Sequence, residues 1–214
     1  MDSTFNNQGN RLKLLHRQDL FSWSEFDEER NLDFNSWLWQ RSDGNVLIDP
    51  LPLTRHDRQH LDSLGGARYI VVTNSDHCRD AEKIAADTGA KLYGPIQEMA
   101  DFPLVCDHWL QNSEEIVPGL TVIELQGSKT PGELALLLEG STLITGDLIR
   151  CHRAGELCLL PDVKLSDKKS ALQSLKYLAA LPAIDVVLPG DGWPIFAYGA
   201  EALNRLVDTL SNSS

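Results

Sequence analysis

Leu134-Ala135-Leu136-Leu137-Leu138-Glu139-Gly140-Ser141-Thr142-Leu143-Ile144-Thr145-Gly146-Asp147-Leu148 is the stretch that decides how this chain is read. Two apolar runs flank Glu139-Gly140-Ser141, a turn-forming triplet, and predict a hairpin of two buried strands. The second run stops at Gly146-Asp147, which places a carboxylate at the exposed end of a buried strand. A charge in that position needs solvent or a partner.

Working outward, residues 166–181 carry Ala171, Leu172, Leu175 and Leu178 at three- and four-residue spacing, a helix with Ser166 as its expected cap. A buried strand is expected over 184–188, running into Pro189-Gly190-Asp191-Gly192, and an amphipathic helix over 199–210 closes the chain. Upstream, residues 35–40 and 46–48 read as strands joined across Arg41-Ser42-Asp43-Gly44, with Asp-Gly turn chemistry. A helix is expected over 54–64, capped by Thr54 and stopped by Gly65-Gly66. Then follow a strand over 67–72, a short helix over 80–88 ending at Gly89 and a strand over 91–93. Residues 19–30 mix aromatics with acids and read as an extended or irregular entry, and 98–112 show no sustained period. Domain bounds on this reading are an N-terminal extension over 1–34, one domain over 35–210 and a tail over 211–214.

Composition narrows the function classes. The 214 residues are 42% hydrophobic and 23% charged, as in an ordinary globular domain. The net charge of −12 argues against a nucleic-acid partner, which wants a basic face. No run is long and apolar enough to span a membrane, and residues 1–17 lack the apolar core of a secretory signal. Cys78, Cys106, Cys151 and Cys158 form no CxxC pair, so zinc-knuckle chemistry is not expected, and a reducing, cytoplasmic setting is.

Five landmarks in order give the chain a family likeness. They are Asn45-Val46-Leu47-Ile48-Asp49-Pro50, Thr73-Asn74-Ser75-Asp76-His77-Cys78-Arg79, Thr130-Pro131-Gly132-Glu133, Thr145-Gly146-Asp147 and Pro189-Gly190-Asp191-Gly192. Together they resemble the metallo-β-lactamase superfamily, with its structural Asp, its THxHxDH motif, its His-Thr-Pro-Gly loop, its metal-bridging Asp and its Pro-Gly-His-Gly loop. The resemblance implies an α/β fold, a four-layer αββα sandwich of two stacked mixed sheets with outer helices. It implies a hydrolase site of two zinc or iron ions held by five histidines and two aspartates at one edge.

The ligand positions tell against that site. Aligned from Thr73, Asn74 and Asp76 stand at the first two histidines, Cys78 at the aspartate and Arg79 at the next histidine. Ser128 or Lys129 occupies the region of the fourth histidine, and Asp191 replaces the fifth; Asp147 alone is retained. A second register takes Asp76-His77 as the motif's Asp-His pair and leaves Val72 and Asn74 at the first histidines. Neither rebuilds a dinuclear centre. Carboxylates at Asp76, Asp147 and Asp191 converging on one edge would repel unless neutralised. One expectation is internal neutralisation by Arg79 and Lys129, no metal, and a surviving small-molecule cleft. The alternative is a mononuclear hydrolase of an ester, thioester or phosphoester, with one divalent ion on Asp76, His77, Asp147 and Asp191. Trp37 and Trp39 should pack on one face, and the segment Trp193-Pro194-Ile195-Phe196 is a candidate cleft wall.

Overall fold

The computed structural model describes residues 12–212. Seven strands form one sheet, in spatial order β1 (Lys13–Leu14), β2 (Leu20–Asp27), β3 (Leu32–Trp39), β4 (Val46–Ile48), β5 (Tyr69–Val71), β6 (Lys91–Pro95) and β7 (His108–Leu110). The second sheet uses β8 (Glu115–Val117), β9 (Leu120–Glu124), β10 (Leu134–Leu138) and β11 (Thr142–Thr145). A separate two-stranded arm, β12 (Ile149–Arg153) and β13 (Glu156–Leu159), comes before the last strand, β14 (Val186–Pro189), which joins the second sheet beside β11. Both sheets are mixed: β10 and β11 are antiparallel, while β11 and β14 run parallel with Thr145 opposite Pro189. Parallel pairing brings the ends of those two strands, and the loops that follow them, to the same edge.

Three layers of apolar contact make the sandwich. Between the sheets, Trp37, Trp39, Val46 and Ile48 meet Leu120, Val122, Leu134, Leu136 and Ile144. Trp37 and Trp39 therefore share the inner face, as their alternation predicts. Outside the first sheet, Leu47 and Ile70 pack against Leu61 of α1 (Arg55–Ser63) and Ile84 of α2 (Ala81–Thr88). Outside the second, Leu143 and Val187 pack against Leu175 and Leu178 of α3 (Lys168–Ala179) and Leu203 and Leu206 of α4 (Gly199–Ser211). Alternate residues of each strand feed opposite layers, which is why short runs such as Val46-Leu47-Ile48 are buried throughout. No helix among the described residues is long and apolar enough to cross a membrane.

Local signals set most boundaries. Thr54 and Asp57 form a reciprocal capping box at α1, and α2 ends at Gly89 in the left-handed region, with φ 73°. Asp167, not Ser166, caps α3: its carboxylate accepts from the Lys169 N–H at 3.0 Å. Of the two readings of residues 19–30, the extended one holds. Most of them form β2, paired with β3 along its whole length, so the first sheet reaches well before residue 35. Phe21 and Trp23 alternate with Ser22 and Ser24 because one face of β2 packs inward at Leu20 while the other carries the two aromatics into the outer layer. Residues 1–11 of the expected extension and 213–214 of the expected tail lie outside the described residues.

Candidate functional site

The cleft lies at the edge where β4, β5, β11 and β14 end. Gly146 makes the crowding possible, because a Cβ there would stand 2.8 Å from Thr73 Oγ1 and 2.9 Å from Asn74 Nδ2. Gly190 does the same for His77, whose Cε1 would be 2.7 Å from an added Cβ. Asp49, at the end of β4, takes a left-handed backbone with φ 48°. Its carboxylate accepts from Thr73 N and Thr73 Oγ1, both at 2.7 Å, and meets His77 Nδ1 at 2.8 Å. That contact turns His77 Nε2 toward Asp147 Oδ2, 3.6 Å away. Burial and Arg79 oppose a charge on His77, but Asp49 and Asp147 outweigh them and raise the imidazole above its ordinary value.

Positive side chains fill the remaining space. Lys129 Nζ lies 2.7 Å from Asp76 Oδ2 and 2.9 Å from Asp147 Oδ2, spanning the two loops. Burial works against both charges; even so, His77 and Lys129 hold Asp147 below the usual carboxylate value, and Asp147 and Asp76 raise Lys129. Asp191 is engaged by Arg150, whose Nε and NH2 groups both donate to Oδ2, at 3.0 and 2.5 Å. Arg79 approaches Asp191 Oδ1 only to 3.9 Å; its hydrogen bonds run to the carbonyls of Asn35, Asp49 and Gly190. Arg79 therefore stays within ion-pair reach of Asp191 while its hydrogen bonds go to backbone carbonyls of β3 and of the turns after β4 and β14, and Arg150 makes the close pair with Asp191. Buried Asp191 Oδ1 itself has no hydrogen-bond partner.

Beneath Asp147 lies Glu133, fully buried. Desolvation and the Asp147 charge push its carboxyl up to about 7, against the hydrogen bonds from Ser128 Oγ and the Leu148 N–H. Those donors sit at 2.7 and 2.6 Å. Asn74 Nδ2 bridges Asp147 Oδ2 at 3.4 Å and Glu133 Oε2 at 3.5 Å. An amide donor here serves two acids where an imidazole donates through one nitrogen at a time.

Asp76, His77, Arg79, Lys129, Asp147 and Asp191 therefore line one cleft, together with Arg30, Phe34 and Leu51. Asn74 and Ser128 belong to the layer below. Cys78 does not join them: it packs in the outer layer with Phe102 and Cys106, and desolvation pushes its thiol up to about 12. The segment 193–196 forms no cleft wall either. Ile195 enters the core on the far side of the second sheet, and Trp193 is exposed. Arg150 and Glu133 escaped the sequence reading. Arg150 sits inside a short apolar alternation, Ile149-Arg150-Cys151, and a charge in such a run is the signal that could have found it. Glu133 directly precedes the apolar strand β10, where an acid has no solvent to face.

This architecture has known counterparts. A family model described as the metallo-beta-lactamase superfamily matches residues 12–210, and the chain belongs to that superfamily. Among solved structures, a metallo-beta-lactamase from Pontibacter korlensis aligns with a TM-score of 0.74 at 16% identity, covering 94% of this chain and 98% of its own. The FIM-1 enzyme of Pseudomonas aeruginosa, in a mono-zinc form, aligns at 0.68 with 16% identity, over 95% of this chain and 99% of its own. A protein solved in a di-iron-bound form reaches 0.67 at 21% identity, over 86% of this chain and 98% of its own. No curated protein matches the sequence. At these identities the structural likeness carries the fold and no more.

The donor set does not suit two metal ions. Among the described residues, the sole group of three or more metal-competent side chains at this edge is His77, Asp147 and Asp191, whose ligand atoms lie within 4.8 Å of one another. Two dications need more ligands than one imidazole and two carboxylates. Lys129 and Arg150 already occupy the same carboxylates.

Proposed function

We propose that this protein is a non-classical or inactive hydrolase homologue that has given up the dinuclear centre and keeps its cleft as a small-molecule site. The observation that carries the reading is the Lys129 ammonium, bonded to both Asp76 and Asp147. Asp147 matches the position at which the family's bridging carboxylate would meet metal. The charge ledger supports the same reading. Lys129, Arg79 and Arg150 already stand among the carboxylates Asp76, Asp147 and Asp191, and His77 lies between Asp49 and Asp147, which favour its charged form. A dication added to that set would be repelled by fixed cations and would have to displace Lys129. The acidic surface fits a partner that is neither nucleic acid nor membrane, in a cytoplasmic setting.

A second reading, a mononuclear hydrolase, is favoured by one observation: His77, Asp147 and the unpartnered Asp191 Oδ1 could hold a single divalent ion. Such an ion would supply a polarised water for ester, thioester or phosphoester hydrolysis. Elemental analysis of protein purified without chelator separates the two. The first reading expects far less than one equivalent of metal after dialysis against Mn²⁺ or Zn²⁺, and an unchanged melting temperature with EDTA. One tightly held equivalent that is lost in Asp147→Ala would overturn it.

A further inference from the structure

The cleft encloses about 350 Å³, at the small end of ligand pockets. Its charged groups are unequally committed. Asp76 and Asp147 hold Lys129, Asp191 Oδ2 holds Arg150, and Asp191 Oδ1 is sealed from solvent contact. A cationic ligand approaching Asp76 or Asp147 would meet the resident Lys129 ammonium. Arg30 differs. Its side chain is 58% exposed, and its guanidinium only approaches Asp27 Oδ2, at 3.8 Å. It rests 5.4 Å from the centre of the Phe34 ring, and Arg79 lies 5.7 Å from the same ring. Phe34 and Leu51 supply the apolar wall. A flat ring beside two guanidiniums favours a partner that is unsaturated at one end and negative at the other. The chain as a whole repels anions, but at physiological salt that field decays within about 8 Å, so the groups at the mouth decide.

We propose that the cleft binds a small organic monoanion with a flat unsaturated body, a carboxylate of the benzoate type, and that Arg30 reads its charge while Phe34 and Leu51 receive its body. The inference rests on the small-molecule reading of the cleft and adds the ligand's class. It places the specificity-determining contact on the turn between β2 and β3, away from the family's metal loops.

The test is a titration of isotope-labelled full-length protein with benzoate, run beside benzylamine and followed by NMR. Benzoate is expected to shift the signals of Arg30, Phe34 and Leu51, with benzylamine at least severalfold weaker. R30Q should weaken benzoate about fivefold, the scale of one exposed ionic contact, while R30K keeps most of the affinity. Equal or tighter binding of benzylamine at the same residues would overturn the proposal. So would benzoate binding indifferent to R30Q, or no benzoate binding in folded protein. Metal content is measured on the same samples. Stoichiometric metal with benzoate still held through Arg30 would sink the metal-free reading and leave the anion site standing. Metal-free protein that ignores benzoate would do the reverse.

Discussion

Replacing Lys129 with Met removes a charge while keeping most of the side chain's length, and the structure sets the size of the effect. The ammonium spans Asp147, whose side chain is only 4% exposed, and Asp76, which is 52% exposed. The Asp76 contact is solvent-screened and contributes a few tenths of a kcal/mol. The Asp147 contact is the costly one. Without it the carboxylate retains His77 Nε2 at 3.6 Å and Asn74 Nδ2 at 3.4 Å, both long. Breaking a fully buried pair costs about 3–5 kcal/mol, and Lys129 itself is partly solvated, so a loss of about 2–3 kcal/mol follows. For a domain of this size that is a fall in melting temperature of about 4–12 °C. The sign with pH is fixed by Asp147. Its folded value lies below the ordinary 3.8, so its stabilisation is present above that value and is lost as pH falls through the folded one. The difference between wild type and Lys129→Met should be full at pH 7 and shrink as acid protonates Asp147. Urea unfolding followed by the fluorescence of buried Trp23 and Trp37 reads it directly. A variant as stable as wild type at pH 7, or a difference that widens in acid, would refute the idea that Lys129 is the site's internal counter-ion.

Arg150→Met should cost more, about 3–5 kcal/mol, because both it and Asp191 are buried and the carboxylate would keep only the distant Arg79; urea midpoints at pH 7 check this. Glu133→Gln should act in the opposite direction at high pH. The carboxyl's folded value, about 7, stands above the ordinary 4.5, so its contribution is fully present below 4.5 and is lost as pH rises through 7. The glutamine keeps an acceptor for the Leu148 N–H and abolishes that slope, gaining about 1–3 kcal/mol on wild type between pH 5 and pH 8. Parallel slopes for the two proteins would refute a perturbed Glu133. His77 should titrate above an ordinary histidine in an NMR pH series and fall toward the ordinary value in Asp49→Asn; an unmoved midpoint would exclude the Asp49 contact as its cause.

Legibility differed sharply between fold and site. The hairpin of β10 and β11 was readable because a closed turn between two apolar runs has few other ways to bury them. Helices α1, α2 and α4 were readable from apolar spacing and end signals. By contrast, β2 mixes Phe21 and Trp23 with Ser24 and Glu25, and its pattern makes sense only once β3 is laid beside it. The arm of β12 and β13 was missed for the same reason. At the site, convergence of Asp76, Asp147 and Asp191 followed from the order of the landmarks, and so did Lys129. Arg79 does reach Asp191, but its hydrogen bonds to three backbone carbonyls were not legible, because the choice between a carboxylate and a carbonyl depends on where a side chain starts. Its backbone sits at φ 40°, a local detail that no spacing rule encodes.

Taken alone, the order of residues determined which segments must be buried, where the acids fall at strand ends and that most histidines of the family pattern are replaced. Those are consequences of chain-local patterning, which composition and periodicity express directly. Only the tertiary structure decided which cation meets which carboxylate. Arg150 and Asp191 are 41 positions apart, and Glu133 meets Asp147 across two strands. Ion pairing depends on ångström-scale distance and on exclusion of water, and both arise only when the two sheets close on each other.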